Sequence, residues 1–344
     1  MTKSATRETA DIASVVGRKN AIINGNFDIW QRGTSFAAIA NTAYFADRWR
    51  VNHIMSGAIT ASRAADSPTA AQAGIYTSHC ISSAVTTADT SIAAADFFSI
   101  QQLIEGLNTA SFGFGQAGSR NVTLSFWVKG TKTGIHCVSI RNSATNRQYA
   151  AEYTIDSTNT WEYKTITIPV DTTGTWLYDT GVGLAVSFVL AAGTNYHITA
   201  NTWTASTAFA AATSNQVNAL DNTSNIFKVA LVQLEAGSVA TEFEPRSVGE
   251  ELALCQRYYE LSNGRNAFSG DTTNGYSYRM SVIFATNKRA TPTVVKTLTH
   301  EGGFRTTLSN PEGISPEGFA ARSIADATTP AAYFFFTWTA NAEL

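Results

Sequence analysis

The chain has 344 residues, of which 15% are charged, and its 24 basic and 26 acidic side chains give a formal net charge of −2. That length accommodates two domains, and a large β-sandwich would take well over half of it. With no basic cluster to neutralise phosphates, the composition excludes a nucleic-acid partner.

The charged fraction lies below the roughly 25% of ordinary soluble domains. Ala, Thr, Ser and Asn take up the difference, a composition of Thr-rich strands and neutral loops. The cysteines, Cys80, Cys137 and Cys255, are odd in number and far apart. They are expected to be reduced, buried thiols in a protein made in a cytoplasm. No apolar h-region opens the chain, and the longest apolar run, Val182 to Ala192, is too short to span a bilayer. A soluble chain with no signal peptide and no membrane insertion is expected.

Residues 1–19 form a first segment. Ile12, Val15 and Val16 stand at helical spacing, a short amphipathic helix with too little apolar surface to be stable alone. It reads either as a frayed terminus or as an anchor on a partner or on copies of itself. A domain over 20–247 follows. Asn20 to Trp30 supplies strand formers (Ile22, Ile23), a turn signal (Asn24-Gly25) and the core candidates Phe27, Ile29 and Trp30. Tyr44 to Val51 and Phe97 to Leu107 read as strands, the latter followed by a Gly-rich turn at 113–118.

The clearest pattern is Val122 to Val170. Val122, Leu124, Phe126 and Val128 alternate with Thr123, Ser125, Trp127 and Lys129, which marks a half-buried strand. Runs at 135–140, 149–155 and 161–168 follow across short polar turns. Four such strands predict an antiparallel meander at the centre of a sandwich or jelly roll. Gly174 to Tyr178, Val182 to Leu190 and Ile226 to Leu234 read as further strands. Between the last two lies a long Ala/Thr/Asn loop carrying Trp203, an aromatic with no obvious core to join.

Phe243-Glu-Pro245 looks like a boundary, and residues 248–344 form a smaller domain. Val248, Leu252, Cys255 and Tyr259 make a helical stripe on Gly249 to Leu261. This stripe reads either as a three-fold contact or as a cap on a sandwich edge. Strands are expected at Tyr276 to Ala285, Thr293 to Leu298 and Ala331 to Trp338. The fold class is therefore all-β, an antiparallel jelly roll or β-sandwich plus a smaller C-terminal β-domain, with short N-terminal and inter-domain helices.

The five histidines show no metal spacing, and no nucleophile elbow or phosphate loop is present. Gly113-Phe-Gly-Gln-Ala-Gly118 lies between strands and reads as a turn. A glycosidase needs two carboxylates across a cleft. Asp47, Glu105, Glu152, Asp156 and Glu162 are available, but spacing singles out no pair, and no catalytic residue is assigned. Sugar binding needs aromatic faces beside amide, hydroxyl or Arg groups. Trp127, Trp161 and Tyr163, with Tyr153 and Arg147 near in sequence, and the loop residue Trp203 are the candidates. The alternative is that these rings fill the sandwich core.

Several phrases together resemble a family of phage and prophage tail-fibre proteins: Asn24-Gly-Asn-Phe-Asp-Ile-Trp-Gln-Arg-Gly33, Ala46-Asp-Arg-Trp49, Ile104-Glu-Gly106, Thr123-Leu-Ser-Phe-Trp-Val-Lys129, Asn159-Thr-Trp-Glu-Tyr163, Val232-Gln-Leu-Glu-Ala-Gly237 and Glu250-Glu-Leu-Ala-Leu-Cys-Gln-Arg-Tyr-Tyr259. The resemblance covers about residues 20–259. It implies a carbohydrate-binding-module-like jelly roll in a trimeric virion fibre or spike that binds host-surface polysaccharide without catalysis. The N-terminal segment would meet other virion proteins, and the C-terminal domain would be distal. Ile12, Val15, Val16, Leu252, Cys255 and Tyr259 become candidate oligomer contacts. The resemblance also implies a structural calcium, with Asp28 matching one acidic position. Ala230 and Leu231 stand where further carboxylates would be, which removes ligands that calcium takes. No other cofactor is expected. A capsid-decorating or tail-adaptor protein is the second reading and a polysaccharide depolymerase the third.

Overall fold

The computed structural model describes residues 18–205, 211–306 and 308–344. The expected contacts Ile12, Val15 and Val16 lie outside the described residues. The chain divides into two compact units, one reaching Arg246 and one from Ser247 onward.

Strands of the first unit are β1 (Ser35–Phe36), β2 (Trp49–Ile54), β3 (Ala58–Ala64), β4 (Cys80–Thr87), β5 (Phe97–Glu105), β6 (Val122–Gly130), β7 (Gly134–Arg141), β8 (Gln148–Ile155), β9 (Glu162–Ile168), β10 (Val182–Ala192) and β11 (Ile226–Ala236). Short helices α1 (Ala70–Ala73) and α2 (Gly106–Thr109) interrupt them. Two antiparallel sheets result, ordered β1-β3-β4-β11-β6-β9 and β2-β5-β10-β7-β8. The fold is the all-β sandwich that the alternation implies.

The expected meander is not what forms. β6 pairs with β9 in the six-stranded sheet, whereas β7 and β8 pair with each other in the five-stranded one. Each strand does have one apolar face, but the Gly130–Gly134 turn carries the chain from one sheet to the other. The inner faces of both sheets then share one core. Phe126 of β6 meets Phe188 of β10 and Tyr153 of β8 edge-on at 5.0 and 5.1 Å between ring centroids. Trp49, wholly buried, packs on Phe27 at 5.3 Å.

Other expectations need correction. Asn20 to Trp30 forms no strand, and neither does Gly174 to Tyr178, although Ile22, Phe27 and Trp176 are all buried. β2 begins only at Trp49, because Arg48 adopts a positive φ of 70° and turns the chain there. The Asn20 to Trp30 segment is held by side-chain amides instead of a ladder. Asn20 Oδ1 accepts from the backbone of Ile22 and Leu234 at 2.9 and 3.0 Å. Asn24 Nδ2 donates to the carbonyls of Ile29 and Asp47. The Gln102 carboxamide pairs with both backbone groups of Ile23.

His136 lies inside the sandwich, 1% exposed, its Nε2 3.1 Å from the carbonyl of Lys132. Burial lowers its pKa to about 4, outweighing that hydrogen bond.

The second unit contains α3 (Val248–Gln256), capped by Ser247, and strands β12 (Tyr259–Leu261), β13 (Asn266–Thr272), β14 (Ser277–Ile283), β15 (Thr293–Gly302), β16 (Gly318–Ile324) and β17 (Thr329–Asn341). β17 is central: β12 and β13 pair with it in succession and β15 also pairs with it, while β14 and β16 form a separate ribbon. Its core is aromatic, built on Phe334, Phe336, Trp338, Phe304 and Phe319. The expected interface stripe is only partly helical. α3 stops at Gln256, and Tyr259 pairs with Asn341 in β12. Cys255 is wholly buried within the single chain and Leu252 half-buried. A second copy therefore cannot reach the Cys255 side chain in this arrangement.

Two stability predictions follow from the packing of the first unit. A Cβ placed on Gly25 would lie 2.2 Å from the carbonyl oxygen of Val232. Gly25→Ala is therefore expected to destabilise the unit by at least about 2 kcal/mol in urea unfolding; a smaller loss would show that the segment yields easily. His136 is neutral in the fold down to about pH 4, while the unfolded residue takes a proton near 6.5. Its contribution is complete above pH 6.5 and is lost as the pH falls towards 4, by up to about 3 kcal/mol. Stability measured from pH 7 to 4.5 should fall less steeply in His136→Asn than in the parent chain.

Candidate functional site

β6, β9 and β11 present their second face to the outside of the six-stranded sheet. On β6 this face carries Ser125, Trp127 and Lys129, because Leu124, Phe126 and Val128 fill the core. Tyr163 of β9 lies directly opposite Trp127. Their ring centroids are 5.4 Å apart with planes inclined at 43°. Tyr163 is 45% exposed, so its ring is offered to solvent.

β11 contributes through an irregularity. Its register with β6 advances three residues, Ala230 to Gln233, while β6 advances two, Trp127 to Ser125. The extra residue is a β-bulge, with Leu231 at a φ of 51°. The bulge turns Leu231 outward onto Trp127, Trp161, Cys80 and Phe243. Residues Ala240 to Phe243 then form one wall above Trp127, and Gln72 and Ala73 of α1 form another. A cleft of about 280 Å³ is left between these walls, with Ser125, Trp127, Tyr163 and Leu231 among its lining residues.

The walls are fixed by polar contacts. Thr69 and Gln72 cap α1 reciprocally. Glu235, 3% exposed, accepts from the backbone and hydroxyl of Thr241 at 2.8 and 2.6 Å. Beside the cleft, Lys129 and Lys228 stand directly opposite each other on neighbouring strands, a repulsive arrangement by itself. Asp66 lies between them, with its Oδ2 2.9 Å from Lys129 and 2.5 Å from Lys228, and it also accepts from Trp161 Nε1 at 3.2 Å. Burial works against ionisation of Asp66, but the hydrogen bonds from Lys228, Lys129 and Trp161 prevail and hold its pKa at about 2.

Of the residues expected from the sequence, the structure brings together Trp127 and Tyr163. Trp161 adjoins them but is only 9% exposed, covered where its indole meets Asp66. Tyr153 is 6% exposed and packed among Phe126 and His136, so no sugar can stack on it. Arg147 belongs to the other sheet's β7–β8 loop, where its Nε donates to Asp171. Trp203 does have a core to join. Its ring lies within 5.2–5.8 Å of Tyr149, Trp176 and Phe114, and its Nε1 donates to the carbonyl of Pro169. Asp28 accepts from Asn26 Nδ2 at 2.8 Å and faces His79 Nδ1 at 3.9 Å. One carboxylate beside an amide and an imidazole does not fit the six or more oxygens of calcium. Among the described residues no group of three or more His, Cys, Asp or Glu side chains could hold a metal ion.

Sequence reading missed Leu231, Gln72, Asp66 and the 240–243 wall. Thr69-Ala-Ala-Gln72 is a capping-box signature and was available. Nothing in the letters marks Leu231 as the residue that turns outward.

No protein-family model and no curated protein matches the chain. Solved structures do. The enzymatically active domain of tailspike protein 4 of bacteriophage CBA120 is 13% identical with a TM-score of 0.34, the match covering 63% of this chain and 21% of that one. TmCBM61 in complex with β-1,4-galactotriose is 9% identical (TM-score 0.31), over 64% of this chain and 99% of that one. A family 11 carbohydrate-binding module from Clostridium thermocellum, in complex with a β-1,3-1,4-mixed-linked tetrasaccharide, is 13% identical (TM-score 0.31), over 61% and 99%. The match thus spans about a fifth of that tailspike domain's length. These likenesses are of fold alone, and the tail-fibre resemblance stands on the sequence phrases quoted above.

Asp66→Asn is expected to lower stability by on the order of 1 kcal/mol at neutral pH, after allowance for solvent screening of a carboxylate more than one-third exposed. Because the folded pKa is depressed from 3.8 to about 2, the carboxylate's contribution is complete above pH 3.8 and is lost as the pH falls through 2. The difference between the parent chain and Asp66→Asn should therefore narrow between pH 4 and 2 in urea unfolding. A constant difference would mean that the ion pairs contribute nothing.

Proposed function

We propose that the chain is a non-catalytic glycan-binding subunit of a virion fibre or spike, which takes one sugar residue of a host-surface polysaccharide into the Trp127–Tyr163 cleft. The observation that carries the reading is the pair of adjacent aromatic rings, one of them 45% exposed, at a cleft bordered by Ser125, Gln72 and Thr241. A sugar ring offers one apolar C–H face and a rim of hydroxyls. Aromatic faces take the first, and amide, hydroxyl and backbone groups take the second. At about 280 Å³ the cleft suits a single residue rather than an extended chain.

Binding rather than hydrolysis is favoured by the lining. Among the described residues that line the cleft the only carboxylate is Glu242, whereas hydrolysis of a glycosidic bond takes a pair, and the neighbouring Asp66 is engaged by Lys129, Lys228 and Trp161. A single-residue contact is weak, and three copies on one fibre would raise the effective affinity without further contacts. The virion setting, the homotrimer and attachment to virion partners through residues 1–19 rest on the tail-fibre resemblance, as does synthesis in the host cytoplasm.

Retardation of the full chain in gels containing β-1,4-galactan, mixed-linkage β-glucan, dextran or bacterial lipopolysaccharide tests the reading. Trp127→Ala or Tyr163→Ala should weaken binding to the retained polymer at least tenfold, about 1.4 kcal/mol, with the circular dichroism spectrum unchanged. Trp203→Ala should lower stability and leave binding intact. Undiminished binding in the Trp127 and Tyr163 variants would overturn the assignment of the cleft.

A further inference from the structure

The Trp127–Tyr163 cleft holds a single charged side chain. Gln72, Ser125 and Thr241 supply its neutral polar groups, and Glu242 is the one lining residue that carries charge at neutral pH. The backbone at Glu242 is fixed, because its carbonyl accepts from Lys19 Nζ at 2.5 Å and from Gln233 Nε2 at 3.2 Å. Its side chain is free by contrast. Glu242 is exposed, and its carboxylate makes no hydrogen bond or ion pair with any described residue.

The other charges at the margin are engaged. Lys129 and Lys228 share Asp66, Lys19 also donates to Thr241 Oγ1 at 2.6 Å, and Glu235 accepts from Thr241. Lys19, Lys129 and Lys228 are matched in number by Asp66, Glu235 and Glu242, so no excess of positive charge there opposes a cation. The rings add to the attraction, since an aromatic face is negative and an indole draws a cation most strongly. A sugar hydroxyl can donate to the same carboxylate but gains only a hydrogen bond. A sugar carboxylate, sulfate or phosphate would meet repulsion, because no lysine or arginine lines the cleft.

We propose that the cleft selects an amino sugar: Glu242 pairs with a free ammonium group on the sugar ring whose C–H face lies on Trp127 and Tyr163. This selectivity rests on the reading of the cleft as the glycan site and names the class of sugar it takes. The order of preference is then amino sugar, neutral sugar, acidic sugar. Because the 240–243 wall is tied down through Thr241 and the Glu242 carbonyl, only the carboxylate side chain has to be ordered on binding.

Tryptophan fluorescence titration of the full chain at about pH 6, with ionic strength held constant, tests the selectivity. The probes are methyl glycosides of glucosamine and galactosamine against those of glucose and galactose, pairs that differ only in an ammonium for a hydroxyl, with methyl glucuronide as the acidic probe. At least one amino sugar should bind about fivefold or more tighter than its neutral counterpart, and the glucuronide more weakly than either. Glu242→Gln, which leaves the backbone contacts of the wall in place, should bring that ratio close to one. Raising sodium chloride to about 0.5 M should lower it in the parent chain. Asp271→Asn removes an exposed carboxylate of the second unit and should leave the ratio as it is, which separates Glu242 from net charge. A ratio near one in the parent chain, or one unchanged in Glu242→Gln, overturns the selectivity, while binding still weakened by Trp127→Ala leaves the glycan cleft standing. Binding of none of the glycosides, or binding indifferent to Trp127→Ala, overturns the cleft and the selectivity together.

Discussion

One extra residue in β11 governs the first unit. At the bulge between Ala230 and Gln233 the strand cannot continue its ladder with β6, and Val232 N is released to donate to the carbonyl of Gly25 at 2.9 Å. That bond joins the non-strand segment Asn20–Trp30 to the sheet. The same irregularity sends Leu231 to the outer face, where it meets Trp127 and Trp161. The closing of the core on one side and the shaping of the cleft on the other thus depend on a single backbone event, with a non-glycine residue held at positive φ by the packing around it.

Around the bulge, polar side chains take the place of missing ladder bonds. Asn20, Asn24 and Gln102 together satisfy backbone groups of Ile22, Ile23, Ile29, Asp47 and the bulge residue Val232, and Trp49 Nε1 donates to the carbonyl of Asn24 at 3.2 Å. Asp47 accepts from the backbone and carboxamide of Gln31. The phrases Asn24-Gly-Asn-Phe-Asp-Ile-Trp and Ala46-Asp-Arg-Trp therefore describe a hydrogen-bonded knot at one end of the sandwich. Their distinctiveness has a folding reason that involves no ligand.

The sandwich was legible wherever large apolar residues alternate with polar ones, as in β6, β10 and β11. β3 and β4 were not, since Ala58-Ile-Thr-Ala-Ser-Arg-Ala and Cys80-Ile-Ser-Ser-Ala-Val use small residues whose burial leaves little contrast in the letters. The second unit shows the same limit at β16, where Gly, Ala and Ser predominate. Alternation also says which face a residue takes but not which sheet, and so the nested pairing of β6 with β9 around the β7–β8 hairpin read as a simple meander. For the site, that face logic placed Trp127 and Tyr163 together. It failed for Tyr153, which alternation puts on the interior face of its own strand, and for Trp203, whose neighbours Tyr149, Trp176 and Phe114 come from three distant places in the chain.

The two ends of the first unit are stitched to each other. The Arg246 guanidinium donates to the carbonyls of Asn20 and Ile22, Glu244 accepts from the backbone of Lys19 and Asn20, and Ala21 donates to the carbonyl of Leu234. Contacts between residues more than two hundred positions apart must close before the core is sealed, which makes for slow folding and a long exposure of strand edges. On a ribosome, the unit cannot reach its final form until Arg246 has emerged, so the nascent chain passes its synthesis with these closing contacts unmade. Its protection in that interval falls to its sparse charges and to the small, polar residues of β3 and β4, the strands hardest to recognise in the sequence.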